Sequence, residues 1–282
     1  MNIISDQYLW QLLNEDVPYF DLTTQALGIG DFSATITYTT RHETTLCCTE
    51  EAANLLKRVG AEVSLRLPSG YQAEKGVTFL IANGSAASLH LGWKCSQNLL
   101  EYTCGIATKT HQLVQLAQQV NPDIMLYTTR KSIPGTKPIA IKAILAGGAY
   151  PHRLGISETI LIFEQHLIFL GGIEGLCKQL TELKRKVKEK KILVEVTTLS
   201  EALPLAQAKI DGLQFDKLKA EELADIVPKL KSIHPTLMIL AAGGINEANI
   251  AEYATTGVDG LVLTAPYYAK PADIQVKISS HF

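Results

Sequence analysis

The sequence predicts an α/β protein: an N-terminal α+β domain followed by an incomplete (β/α) barrel of about six to seven strands. Three observations carry that prediction. Up to about residue 85, alternating or apolar strand-like runs are interrupted by one short amphipathic helix. A long helical stretch then spans about residues 88–120. Beyond it, short apolar β-runs alternate with helix-length runs, the pattern of βαβ crossovers in a parallel sheet.

In order, YLWQLLNED opens the chain as an amphipathic helical segment, and SATITYTT (33–40), TTLCCT (44–49) and VTFLIANG (77–84) read as strands. EEAANLLKRVG (50–60) reads as a helix ending at a glycine cap. The stretch 88–120 reads as helix, broken near Gly105. Six candidate strands follow: DIMLY (123–127), ETILIF (158–163), KILVEV (191–196), IDGLQF (210–215), LMILAA (237–242) and DGLVLT (259–264). Helical patterns fall between them, from Pro138 towards Gly147, in GGIEGLCKQLTELKRKVKEK, LSEALPLAQA and KAEELADIVPKLKSI, and in NEANIAEYATTG, which Asn246 can begin. An open doubly wound sheet is the structural alternative to a barrel. The expected domains are residues 1–108 and 109–267, with the tail 268–282 packing back on the first.

Composition excludes several classes. With 46% hydrophobic and 19% charged residues the chain has ample core, and a net charge of −2 gives no support for nucleic acid or an anionic membrane as partner. No apolar run is long enough to cross a bilayer. Five cysteines, Cys47, Cys48, Cys95, Cys104 and Cys177, show no metal-binding spacing and read as reduced thiols. The first residues show no secretion signal. The expectation is a cytoplasmic enzyme.

In parallel α/β folds, functional groups gather at the C-terminal ends of the strands. There the first strand presents Thr129, Arg130 and Lys131, and the next connection presents His152 and Arg153. Glu195 and Asp216 end the two middle strands, AAGG brings Gly243 and Gly244, and Thr264 and Ala265 end the last. Arginine offers a planar fork for carboxylate or phosphate and lysine a compact charge. Glycine-rich turns leave backbone N–H groups open to phosphate. Two carboxylates suit Mg2+ on a polyphosphate. Blander readings stand beside these: solvated surface cations, an internal ion pair between these acids and bases, and a ligand-free turn at Gly243–Gly244. Lys94, Trp10 and Trp93 read as structural, His166 as a satisfied strand-end histidine, and 184–191 as a solvated face.

TTRKSIPGTK (128–137), AILAGGAYPHRLGISETILIFEQH, EYTCGIAT (101–108), EDVPYFDLTT (15–24), AAGGI and YATTGVDGL together resemble the quinolinate phosphoribosyltransferase (nicotinate-nucleotide pyrophosphorylase) family, in order and over nearly the whole chain. The version with TTRKSIPGTK and LIFEQH looks most like its pyrophosphorylase-like ModD branch, associated with molybdenum uptake. The resemblance implies a Mg2+-dependent transfer of 5-phosphoribosyl from 5-phosphoribosyl 1-pyrophosphate (PRPP) to a ring nitrogen of a small heterocyclic acid, with pyrophosphate released. It also implies a homodimer. Arg130, His152 and Arg153 would contact the acid, Lys131 the PRPP, and Glu195 and Asp216 the ribose or Mg2+. Gly243, Gly244, Thr264 and Ala265 would hold the 5-phosphate, and Lys94 falls where the family donates an arginine across the dimer.

The chain departs from the family pattern in IFEQH, where Phe163 replaces a lysine, in FDK (215–217), and in AGG, which lacks a serine hydroxyl. Losing a charge-assisted contact of about 1.5–3 kcal/mol argues against a dicarboxylate acceptor. Quinolinate itself remains the first alternative, if Lys137, Lys142 or Lys94 compensates. A non-catalytic oxyanion or nucleotide-binding protein tied to molybdate uptake is the second, and retention of Glu195 and Asp216 speaks against it.

Overall fold

We describe residues 4–281 of the chain in a computed structural model. In chain order the elements begin with α1 (Asp6–Asp16), α2 (Leu22–Leu27), β1 (Ser33–Thr40), β2 (Thr44–Thr45), α3 (Thr49–Arg58), β3 (Glu62–Arg66), β4 (Gln72–Ala73) and β5 (Thr78–Ser85). They continue with α4 (Ala86–Gln118), β6 (Met125–Thr128), α5 (Lys137–Ala146), β7 (Tyr150–Pro151), β8 (Ile160–Ile162), α6 (Glu164–Leu167) and α7 (Gly172–Lys186). The chain closes with β9 (Ile192–Val196), α8 (Leu199–Gln207), β10 (Gly212–Asp216), α9 (Ala220–Ile233), β11 (Met238–Ala242), α10 (Ile250–Ala254), β12 (Gly260–Leu263), a 3-10 turn (Ala265–Tyr268) and β13 (Ile274–Ser280).

Contacts divide the chain into two compact units. The first takes in the described residues up to Gln112, Ser132–Gly148, and those from Pro266 on; the second is Leu113–Lys131 and Ala149–Ala265. The grouping differs from a single cut at residue 108. Ser132–Gly148, read with the barrel in the sequence, falls with the first unit because its anchors lie there. The Lys142 ammonium bonds Glu51 at 2.6 Å and Glu50 at 3.0 Å, and Gly147 packs against Thr110 so closely that a Cβ would collide with it.

The first unit is built on a four-stranded antiparallel sheet in the order β13-β1-β5-β3. Along β1 the period of two buries Ala34, Ile36 and Tyr38. The Tyr38 hydroxyl, in this core, is paired with Ser96 Oγ on α4 at 2.6 Å. The C-terminal strand supplies the edge partner of β1 from Ala34–Ser280 to Thr40–Ile274. The expected break at Gly105 is absent and α4 runs through it. Gly105 instead admits the segment Lys270–Ala272, whose backbone lies where a side chain would stand, and Ala272 N–H donates to Glu101 O at 2.8 Å.

The second unit holds seven parallel strands in the order β7-β6-β12-β11-β10-β9-β8. Followed in sequence, the strands circle from β6 back to β12, which pairs with β6 again; β7 and β8 are not paired, so the barrel is incomplete. The seventh strand, absent from the six read in the sequence, is the two-residue β7, paired through Tyr127–Tyr150 and Thr128–Pro151. Leu161, Leu193, Leu240, Ala242 and Val262 pack together, with Tyr127, Phe163 and Met238 against them. Among the described residues no helix is long and apolar enough to cross a membrane.

Candidate active site

Every strand of the barrel ends on the same rim, and a cavity of about 550 Å3 lies there. Its wall includes Thr129, Arg130, Lys131, His152, Arg153, Phe163, Glu195, Gln214, Asp216, Lys217, Gly243, Gly244 and Thr264. Two of the residues singled out in the sequence are not in this wall. Ala265 begins the 3-10 turn. Lys94 lies on α4 in the first unit, with its ammonium 4.5 Å from the Trp93 ring centre and donating to Gln97 Oε1 at 3.2 Å.

The cationic side is fixed by backbone. Thr129 N–H donates to Leu263 O at 2.9 Å, its hydroxyl meets that of Thr264 at 2.9 Å, and Lys131 N–H donates to Thr129 Oγ1 at 3.3 Å. His152 N–H donates to Thr128 O at 2.9 Å, which seats Arg153 beside Arg130. Burial, and then the positive charge of Arg130, lower the Arg153 pKa. Burial, and then Arg153, hold His152 below the usual histidine range, which favours the neutral ring. Neither arginine joins an ion pair among the described residues. Two like charges held together without an acid between them are a site for an anion.

Phe163 forms the apolar edge. Its ring stacks on His166, with centroids 5.9 Å apart and planes at 26°, and the Arg153 guanidinium carbon is 5.9 Å from its centre. His166 is satisfied, with Nδ1 accepting from Phe163 N–H at 3.0 Å.

The acidic side comes from β9 and β10. Burial, and then the neighbouring Asp216 carboxylate, raise the Glu195 pKa, while Gln214, Lys131 and Lys217 pull it down. Gln214 Nε2 donates to Glu195 Oε2 at 2.8 Å, and the amide oxygen of Gln214, a side chain only 5% exposed, has no partner. Gln214 escaped the sequence reading, and Lys217 entered it only through FDK (215–217) as a departure from the family pattern. The signal for Gln214 was its place two residues before Asp216, on the same strand face. Lys217 adopts φ 58° with its ammonium 3.9 Å from Asp216 Oδ2, a long contact on an exposed side chain.

Gly243, at φ 85°, must be glycine: a Cβ there would lie 2.5 Å from Asp216 Oδ1 and 2.8 Å from Lys217 N. Gly244, at φ 75°, has open space instead, and its carbonyl accepts from Asn246 and Asn249 side chains at 3.0 and 3.2 Å. The helix expected from Asn246 begins at Ile250, though Ile250 N–H already bonds Asn246 O at 2.9 Å.

Among the described residues no three His, Cys, Asp or Glu side chains gather as a metal cluster. The pair Glu195 and Asp216 is the carboxylate set at this rim; a divalent cation held by them would offset the Asp216 repulsion, which adds to burial in raising Glu195.

Comparisons with known proteins agree with this architecture. The family description "Quinolinate phosphoribosyl transferase, N-terminal domain" matches residues 21–104, and "Quinolinate phosphoribosyl transferase, C-terminal domain" matches residues 106–277. A "Putative pyrophosphorylase ModD" of Rhodobacter capsulatus is 39% identical over 91% of this chain and 98% of its own length. Its namesake from Escherichia coli O157:H7 is 37% identical over 99% and 98%. The solved nicotinate-nucleotide pyrophosphorylase from Francisella tularensis superposes with a TM-score of 0.88 at 26% identity, covering 99% of this chain and 98% of that one. With both domain descriptions matched in order and relatives aligned end to end, the chain belongs to the quinolinate phosphoribosyltransferase family.

Proposed function

We propose that this protein is a ModD-like pyrophosphorylase: it joins C1 of the 5-phosphoribosyl group of PRPP to a ring nitrogen of a carboxylated heterocycle. The nitrogen lone pair forms the new N–C1 bond as the C1–O bond breaks, and the electrons of that bond leave with pyrophosphate. The observation that carries this reading is the division of one cavity wall into an unpaired arginine pair and a carboxylate pair. Arg130 and Arg153, with neutral His152, hold the acid. Lys131 meets the charge that develops on the leaving pyrophosphate. Glu195 and Asp216 lie where positive charge grows on the sugar, and they would also hold Mg2+, which supplies charge neutralisation on the pyrophosphate when bound. The Gly243–Gly244 turn and Thr264–Ala265 are proposed to receive the 5-phosphate through backbone N–H groups. Catalysis of this kind is positioning plus electrostatics.

The wider setting is part of the same proposal. Five free cysteines, four of them buried, fit a cytoplasmic protein. Exposed Trp10, Tyr19, Phe20 and Leu22 in the first unit fit a second copy as partner, in which Lys94 is a candidate donor across the interface. The acceptor is proposed not to be quinolinate. Lys142, one of the lysines that would have to replace the missing cation, is occupied by Glu50 and Glu51.

The test is to mix the purified chain with Mg2+, PRPP and either quinolinate or nicotinate, following pyrophosphate and nicotinate mononucleotide by mass spectrometry. Arg130→Ala serves as control. Pyrophosphate that appears only with both substrates, and is lost in the control, supports the reading. Quinolinate turned over faster than nicotinate, with CO2 released, would move the protein to the carboxylating reaction. No pyrophosphate with any ring-nitrogen acid would sink the transfer reading.

A further inference from the structure

The cavity at the barrel rim does not end at its two arginines. A second cavity of about 700 Å3 adjoins it, and the two share four wall residues: Arg130, Arg153, Leu161 and Phe163. Beyond those four the second wall is largely apolar, with Ile156, Leu170, Leu176 and Leu183. Its other charged members, Glu182 and Lys186, are exposed and meet at 3.7 Å, while both Glu182 oxygens accept from Arg185 at 2.9 Å. The groove borders β8, an edge strand of the incomplete barrel.

This continuity constrains what the arginines can present. One carboxylate satisfies the Arg130–Arg153 pair. A ring held by that carboxylate meets the Phe163 ring, whose centre lies 5.9 Å from both the His166 ring centre and the Arg153 guanidinium carbon. Anything the ring carries on the groove side then meets Leu161, Leu170 and Leu176. A second carboxylate against those three leucines would lie on hydrocarbon without a hydrogen-bonding partner from them. A hydrocarbon substituent would displace water from an apolar wall.

We infer that the acceptor is a heterocyclic monocarboxylic acid bearing an apolar substituent: its carboxylate lies between Arg130 and Arg153, its ring against Phe163, and its substituent in the groove lined by Ile156, Leu170 and Leu176. This rests on the transfer reading for the chemistry and names the acceptor class that reading leaves open. Phe163 is then the residue that sets specificity, since it meets the ring where the two cavities join.

Calorimetric titration of the full chain, without PRPP, with nicotinate, quinolinate and the 4-, 5- and 6-butylnicotinates tests it. Each methylene moved into the groove is worth about fourfold in affinity, and the groove is open to solvent along part of its length. At least one butyl isomer is therefore expected to bind tenfold or more tighter than nicotinate, with quinolinate weaker than nicotinate. Ile156→Asp, at an exposed wall position, and Leu170→Asp, at a half-buried one, should each bring that isomer back to within threefold of nicotinate. Phe163→Lys should invert the order in favour of quinolinate. The inference is overturned if no butyl isomer gains, if quinolinate binds tightest to the unaltered chain, or if the gain survives both aspartates. Pyrophosphate release from PRPP is measured separately. A butyl advantage without release with any acid would retain the groove and remove the transfer reading; release without a butyl advantage would do the reverse.

Discussion

Substituting alanine at Gly243 and at Gly244 separates two things a glycine turn can do. Both residues have positive φ, 85° and 75°, so alanine at either is held in left-handed backbone at about 1–2 kcal/mol. Only Gly243 has neighbours in the way: its Cβ would lie 2.5 Å from Asp216 Oδ1, 2.6 Å from Lys217 Cγ and 2.8 Å from Lys217 N. The lysine chain can swing aside, but Lys217 N cannot, because it is tied to Ala242 O at 2.8 Å. Overpacking of this kind costs about 1–3 kcal/mol more. Gly243→Ala should therefore lose about 2–5 kcal/mol in urea unfolding and Gly244→Ala about 1–2 kcal/mol, with unchanged m-values. Because the Gly243 clash pushes on Asp216, that variant should also lose turnover. Gly244→Ala, which crowds open space where a phosphate is proposed, should raise the KM for PRPP several-fold beyond its small stability cost. Equal unfolding losses for the two, within about 0.5 kcal/mol, would refute the claim that the Asp216 approach makes Gly243 irreplaceable.

Four further outcomes concern the charged groups and their partners. Burial pushes the Glu50 carboxyl up, but hydrogen bonds from Ser69 and then Lys142 prevail and bring it down to about 2. A carboxyl lowered on folding stabilises above its unfolded value of about 4.5, and that stabilisation is lost as pH falls from there towards 2. Glu50→Gln should flatten the acid limb of a stability-against-pH curve; an unaltered limb would remove Glu50 from the account. Lys142→Met should cost about 3–5 kcal/mol at neutral pH, since it leaves Glu51, 6% exposed, without its cation. Gln214→Leu removes the hydrogen bond that lowers Glu195 against burial and Asp216, so Glu195 should titrate higher still. Activity that needs its carboxylate is then lost at a higher pH on the acid side, and a kcat/KM profile that does not move would exclude Glu195 from that limb. Arg130→Ala should weaken the acid substrate roughly ten- to hundredfold, the scale of a lost charge-assisted bond, and PRPP less than threefold. Equal losses for both would show that the arginines do not sort the two ligands.

What was legible in the sequence, and what was not, divides by range. The strands with apolar runs bounded by turns, β9 to β12, were legible because burial on both faces of a parallel sheet leaves a run of Ile, Leu, Val and Ala. Glu62–Arg66 was missed because it is an edge strand, mostly exposed, with no alternation to read. Tyr150–Pro151 was missed because two residues carry no period at all. Gly105 was misread as a breaker because the chain that packs against it, Lys270–Ala272, is remote in sequence. The same holds for Ser132–Gly148, whose grouping rests on Lys142 meeting Glu50 and Glu51 some ninety residues earlier.

The rim residues were legible for a different reason: parallel strands all end on one side, so a charged residue at each strand end is already placed beside the others. The remaining question was whether those charges answer one another or wait for ligands, and spacing alone left both open. An internal ion pair would put Arg130 or Arg153 against Glu195 or Asp216. Instead burial and then Arg130 lower the proton affinity of Arg153, while burial and then Asp216 raise that of Glu195. One contact that crosses between opposite charges, Lys217 to Asp216, is 3.9 Å long on an exposed lysine. Like charges kept together on both sides of one cavity cost the folded state free energy, which Gln214, Lys131 and Lys217 offset at Glu195 only in part, since its pKa stays raised. Such an arrangement is stable only because the groups remain partly hydrated, and it becomes favourable when an anion meets the arginines and a cation or a developing positive charge meets the carboxylates. Two separated half-sites of opposite sign, about one apolar ring edge at Phe163, are what a reaction needs when it draws a negative leaving group from a sugar that turns positive.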